Sequence, residues 1–308
     1  MFSYIVRRIL QLIPVFLGST LLIYALVFAM PGDPIAALFG DKQPSQQLLD
    51  AIRAQYHLDQ PFIVQYYYYM SGLVRGDMGT TFSGQSVNDV LARTLPVTGR
   101  LAVLSIGIEF LLSIIVGTFS ALRKGKVSDN VALIIALVFL SMPIFVMCFL
   151  AQYFLAIQLG WFRPTVGGQN GWGDMWLPAI VLGLSLYATS MRLMRGSVIE
   201  TMNQDWVRTA YSKGLPQYRV LPVHVIRNSL IPVITNSATN FGVLLVGATV
   251  TEFIFNIPGV GNTLFRAILQ HEGPTIVSFV TIFVVLYVLV NLLVDLLYGL
   301  LDPRIRYV

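Results

Sequence analysis

The segment Asp205-Trp206-Val207-Arg208-Thr209-Ala210-Tyr211-Ser212-Lys213-Gly214-Leu215-Pro216 lies between two long apolar runs and decides how the chain is organised. It predicts a short helix whose apolar face consists of Trp206, Val207, Ala210 and Tyr211. Gly214 predicts a left-handed helix end, and Pro216 prevents continuation. About ten helical residues rise roughly 15 Å, which suits a groove of another protein. The alternative is an interfacial helix that lies on lipid, anchored by its tryptophan and its basic residues.

The composition around this segment is that of a membrane protein. The chain is 56% hydrophobic and 11% charged, whereas soluble domains carry about 25% charged residues. Six stretches hold at most one Asp, Glu, Lys or Arg: 9–32, 101–122, 130–162, 175–191, 228–251 and 273–294. Each can form a helix that crosses about 30 Å of hydrocarbon, the fourth by extending past Arg192. The sequence therefore predicts an all-α membrane protein with six transmembrane helices.

The distribution of basic residues predicts the orientation of these spans. Thirteen Lys and Arg lie in segments on the side of the two termini, whereas the short loops on the other side hold only Arg163 and Arg266. This bias places both termini in the cytoplasm. The net charge of +5 follows from the topology and from attraction to anionic headgroups, so nucleic-acid binding is not predicted.

The chain divides into two predicted parts and a tail. Residues 1–94 hold the first span, interpreted as an uncleaved anchor, and a long extracytoplasmic segment. Residues 95–301 form a five-span bundle that carries the docking segment, about 204–216, and residues 302–308 form a cytoplasmic tail. We find neither an internal repeat nor a broken helix in this pattern.

Signatures of catalysis are absent from the sequence. It has no G-x-x-x-x-G-K-[ST] phosphate-binding loop and no H-E-x-x-H motif, and its three histidines have no metal-ligand spacing. Cys148 lies inside the third span, where a buried apolar role is expected. We therefore predict no catalytic residue, no metal site and no cofactor on this chain.

Several motifs resemble one family. The segment Arg208-Thr209-Ala210-x-x-x-Gly214 resembles the EAA loop of type I ABC importer permeases. The whole chain resembles the B-type permease of dipeptide, oligopeptide and nickel importers, through residues 31–34, 56–61, 76–79, 227–232, 257–261 and 301–307, which follow the family order. Arg208-Thr209 replaces the Glu-Ala of most members, as is typical of the peptide branch, so the contacts of that Glu are not carried over to Arg208.

The resemblance implies a function and a set of partners. The fold would be the six-helix, MetI-like bundle with an extracytoplasmic N-terminal insertion, in the bacterial cytoplasmic membrane. The docking segment would be the coupling helix that seats in an ATPase subunit, through Trp206, Val207, Arg208, Thr209, Ala210, Lys213 and Gly214. Further partners would be a second homologous permease, a second ATPase, an extracytoplasmic binding protein, membrane lipid and a peptide substrate, with ATP and Mg²⁺ held by the ATPases. Nickel, haem or another small solute is an alternative cargo.

Polar residues inside the spans are candidates for the translocation pathway. Asn236, Thr239 and Asn240 lie in the fifth predicted span, where amide and hydroxyl groups could bond a peptide or could join helices. Glu109, in the second span, could meet a peptide amino terminus, pair with a cation or be a structural acid. In a proton-coupled secondary transporter, the alternative from another functional class, Glu109 would carry the proton.

The outer loop, residues 252–262, joins the last two predicted spans. Its apolar tips and glycines are typical of a lid or a docking loop, and the resemblance implies a gate where substrate enters. The gate residues would be Ile257, Pro258, Gly259, Val260 and Gly261. An ordinary re-entry turn packed on the bundle is the alternative.

Overall fold

The computed structural model describes residues 2–28, 45–47, 53–54, 57, 59–81, 83–168 and 171–301. Over these residues the regular elements are helices, as predicted, and the β-structure is limited to an isolated bridge between Thr80 and Ser86. The predictions for residues 31–34 and for the tail, 302–308, lie outside the described part of the chain.

Twelve α-helices are described. They are α1 (Phe2–Phe28), α2 (Phe62–Val74), α3 (Val87–Leu122), α4 (Val127–Ser141), α5 (Ile144–Ala151), α6 (Trp176–Met202), α7 (Asp205–Ser212), α8 (Gln217–Val220), α9 (Arg227–Gly247), α10 (Thr249–Ile254), α11 (Val260–Leu269) and α12 (Gly273–Leu301). A π-helix, Gln152–Gln158, extends α5, another, Leu221–Ile226, joins α8 to α9, and a 3₁₀ turn, Trp172–Met175, leads into α6.

Four of the described helices are long and apolar enough to cross a membrane. They comprise Leu10–Phe28, Val87–Leu122, Trp172–Met202 and Gly273–Val294. The helices on either side of Met142 and Pro143 add a fifth if they count as one bent span. Helix α9, which contains the polar run 235–240, is not among these, so the sixth span stays a prediction.

The third predicted span is broken, which corrects the expectation of unbroken helices. Val127–Ser141 and Ile144–Gln158 are bent by 104° relative to each other. Met142 has φ −84° and ψ 127°, the extended conformation that a following proline favours. Pro143 also lacks the N–H that would continue the helix.

Helices α3 and α6 form the centre of the bundle. They approach closely where a glycine faces the partner backbone: Gly117 lies against Met191, and Gly183 lies against Ser105. Such small residues allow membrane helices to pack with their backbones in contact. The predicted boundary at residue 95 falls inside α3, which passes Pro96 without ending, and the division into domains stays a prediction.

The peripheral helices are joined to each other by tyrosine hydroxyls. Tyr66 of α2 is 2.8 Å from the hydroxyl of Thr20 in α1. Tyr69 donates to Thr281 of α12 at 2.6 Å. Helix α2 is thus bonded to both α1 and α12, away from the α3–α6 pair.

Candidate functional site

The docking segment forms helix α7, with the end that the sequence predicts. Gly214 has φ +78°, in the left-handed region that favours glycine. The N–H of Leu215 donates to the carbonyl of Ala210 at 3.3 Å, which closes the last turn. Helix α8 begins directly after Pro216, so this proline ends one helix and precedes another.

The four apolar residues of α7 do not share one face, which corrects the predicted face. Val207 and Ala210 are 1% and 5% exposed and pack into a cluster of this chain that includes Met194 of α6. Trp206 and Tyr211 are 52% and 43% exposed. The inward pair therefore fixes α7 to the bundle. The outward surface holds Trp206, Tyr211, Arg208, Thr209, Lys213 and Gly214.

An intramembrane polar cluster surrounds Glu109. The carboxylate is fully buried and accepts hydrogen bonds from the hydroxyls of Ser190 and Ser237, the latter at 2.8 Å. The side chain of Asn240 bonds the same carboxylate. Asn236 donates to the Ser190 hydroxyl at 2.8 Å. The cluster thus joins α3, α6 and α9.

The sequence singles out three members of this cluster, Glu109, Asn236 and Asn240, but it does not show that they are bonded to one another's partners. Ser190 and Ser237 were missed as partners because a serine in a membrane helix usually bonds its own backbone. Thr239 does this: its hydroxyl donates to the carbonyl of Thr235 at 3.1 Å, so it lies outside the bonded cluster. The partners of Glu109 named here are neutral, which favours the structural-acid alternative over an ion pair.

A groove of about 360 Å³ runs between α3 and α9 beside the polar cluster. Its lining consists of Val103, Ile106, Gly107, Phe110, Ile234, Ser237, Ala238 and Phe241. Ser237 therefore both faces the groove and donates to Glu109. The groove places an open surface next to the buried carboxylate.

A partly buried ion pair, which sequence reasoning missed, joins α4 to α6. Arg195 donates from Nε and Nη2 to the two carboxylate oxygens of Asp129, at 2.8 and 2.7 Å. The Ser120 hydroxyl and the Gly125 N–H, at 2.9 Å, donate to the same carboxylate. This clamp sits one residue from Met194, which packs against α7. The available signal was Asp129, an acid that directly precedes the third predicted span and lies in the first turn of α4.

The outer loop folds around a second buried carboxylate. Glu252 accepts from the Thr98 hydroxyl at 2.6 Å, from the Asn262 N–H at 2.9 Å and from the Gly261 N–H. Burial raises the pKa of Glu252, which lies beyond α9, to about 7. Gly259 has φ −100°, so it needs no left-handed freedom. It serves close packing rather than a hinge, because a Cβ there would lie 2.4 Å from Glu252.

No group of three or more His, Cys, Asp or Glu residues in the described ranges is arranged to hold a metal ion. Cys148 is buried and lies 3.6 Å from the Thr251 hydroxyl.

Comparisons with known proteins identify the family of this chain. The family of binding-protein-dependent transport system inner membrane components matches residues 113–307, and the N-terminal family of the same membrane components matches residues 1–102. The chain belongs to this permease family. A peptide transport system permease protein of Brucella abortus (strain 2308) is 36% identical to it over 314 residues, covering all of both chains. The glutathione transport system permease protein GsiC of Salmonella choleraesuis (strain SC-B67) is 33% identical over 308 residues, also covering all of both. This permease is therefore an inner-membrane transport protein, and its named relatives are permeases rather than enzymes.

Proposed function

We propose that this permease is the membrane subunit of an ATP-driven importer that moves dipeptides or short oligopeptides into the cytoplasm by alternating access. The observation that carries the proposal is helix α7. It is fixed to its own bundle by Val207 and Ala210, yet it leaves Trp206 and Tyr211 exposed. A helix held in this way can transmit a pull from a docked ATPase to the bundle. Two ATPase subunits, each binding ATP and Mg²⁺, would supply that pull.

The polar cluster would receive this motion. Helix α6 leads from Ser190, which bonds Glu109, through Met194 to the connection with α7. A tilt of α6 would therefore change the bonds around Glu109 and the groove beside Ser237. With a second permease opposite α3 and α9, this groove would line the pathway. Nucleotide binding would thus shift one two-state equilibrium between inward-facing and outward-facing forms.

Peptide cargo is proposed because two groups of relatives carry peptide or glutathione transport in their names, and glutathione is itself a small peptide. Uptake of labelled dipeptide, tripeptide and glutathione, compared in cells with and without this chain, tests the cargo. Loss of peptide uptake on deletion supports the proposal. If deletion abolishes only nickel or haem uptake, the cargo is nickel or haem rather than a peptide.

A proton-coupled transporter is the second candidate, and the broken helix at Met142–Pro143 is the observation that favours it. In that case Glu109 would exchange a proton during transport. Uptake that a pH gradient drives without any ATPase present would support this candidate, provided that Glu109→Gln abolishes it.

A further inference from the structure

The carboxylate of Glu252 organises the outer loop through three donors from two directions. The N–H groups of Gly261 and Asn262 approach it from the start of α11. The hydroxyl of Thr98 approaches it from α3, 154 residues away in sequence. Both Glu252 and Thr98 are buried, at 0% and 1% exposure. The loop is therefore bonded to a helix that it does not adjoin in sequence.

Thr98 contributes two bonds to this junction. Its hydroxyl donates to Glu252 at 2.6 Å and accepts from the Val260 N–H at 2.9 Å. The Thr98 side chain thus bonds the loop at two points, the carboxylate of Glu252 and the N–H of Val260. Buried groups of this kind are costly to leave unpaired, so both bonds are expected to be present in the folded loop.

The packing around the junction leaves the loop little freedom. A Cβ at Gly261 would lie 2.6 Å from the Cα of Thr249. Ile257 and Val260 are both fully buried, and Asn262 donates to the Ile257 carbonyl at 2.7 Å. The loop is consequently a packed extension of the bundle rather than a loose lid.

We infer that Glu252 is a positioning residue for transport: with Thr98 it fastens residues 257–261 to α3, so that loop and helix move as one unit when a loaded binding protein docks. This inference rests on the proposed function. Helix α3 also carries Glu109 and Ser120 and packs along α6, so the fastened loop is joined directly to the helices that are proposed to move. If the loop is fastened in only a fraction of the molecules, the apparent affinity for the binding protein falls in proportion to that fraction.

The test uses the complete importer reconstituted with its ATPases, second permease and binding protein. The Thr98→Val variant removes both bonds without changing the side-chain shape, and Thr98→Ser keeps the hydroxyl. The control is Thr94→Val, because the Thr94 hydroxyl on the same helix bonds the Val90 carbonyl of its own helix, at 2.9 Å. ATPase activity is measured against the concentration of loaded binding protein.

Thr98→Val should raise the half-saturating concentration about fivefold to tenfold, as loss of a buried hydrogen bond predicts, and should leave the maximal rate unchanged. Thr98→Ser should restore the wild-type value, and Glu252→Ala should reproduce the effect of Thr98→Val. A half-saturating concentration equal to that of Thr94→Val would overturn the inference. So would a fall in maximal rate and in assembled complex without any change in half-saturation, which is the signature of a purely structural residue.

Deuterium exchange in the isolated permease separates this inference from the proposed function, because it needs no partner. Thr98→Val should speed amide exchange in residues 257–262 and leave residues 205–212 unchanged, relative to Thr94→Val. Equal exchange in both variants would overturn the inference even if the importer works as proposed. If the binding protein fails to stimulate the wild-type complex, the proposed function fails, whatever the exchange shows.

Discussion

The contact between α3 and α6 predicts a sharp difference between two glycine substitutions. A Cβ added at Gly117 would lie 2.8 Å from the backbone oxygen of Met191 and 2.8 Å from the Cβ of Met194. Neither atom can move away without shifting its helix. A Cβ added at Gly196, on α6, meets nothing within 4 Å. Both substitutions to alanine favour helix formation by about 1 kcal/mol, so their difference isolates the cost of overpacking.

That cost is about 1–3 kcal/mol. Gly196→Ala should therefore be neutral or stabilising, and Gly117→Ala should be less stable than Gly196→Ala by the full overpacking cost. At roughly 2 °C per kcal/mol for a chain of this size, the melting temperatures should differ by about 2–6 °C. Thermal unfolding of the detergent-purified permease measures the difference. Equal melting temperatures for the two variants would refute the close approach of α3 and α6.

Three further outcomes are expected. Trp206→Ala should weaken copurification of the ATPase subunits. The control Trp172→Ala removes a tryptophan of similar exposure (54% against 52%) and should leave copurification unchanged. Equal recovery of the ATPases with both variants would exclude Trp206 from the proposed ATPase-docking surface. Glu109→Gln should lower peptide uptake by about tenfold, as loss of a buried hydrogen-bond acceptor predicts, with normal amounts of assembled complex; undiminished uptake would make the cluster dispensable. Because burial raises the pKa of Glu252 to about 7, this group favours the folded state fully below its unfolded pKa of 4.5 and loses that contribution as pH rises through about 7. The melting temperature should thus fall more steeply between about pH 5 and 8 in the wild type than in Glu252→Gln; parallel curves would count against the raised pKa.

Local signals in the sequence were sufficient to predict helix α7 but not its orientation. Gly214 and Pro216 determine where α7 ends because their backbone preferences act within one turn. The division between the buried Val207 and the exposed Trp206 depends on α6, which the pattern of α7 alone does not contain. An apolar residue that faces its own bundle looks the same in sequence as one that awaits a partner.

Long-range polar contacts were the least predictable part of the site. Glu109 stood out because a carboxylate is unusual within a span. Glu252 looked like an ordinary loop acid, and its partner Thr98 is 154 residues away. Hydropathy also conceals the break at Met142–Pro143, because the apolar run continues through it. The proline itself was the signal that could have predicted the bend.

Transport by purified components tests the central claim most directly. The permease is reconstituted into vesicles with or without its ATPases, second permease and binding protein, and labelled dipeptide is followed during either ATP supply or an imposed pH gradient. We expect import only in the complete assembly and only with ATP. Import by this chain alone, driven by the pH gradient, would contradict it.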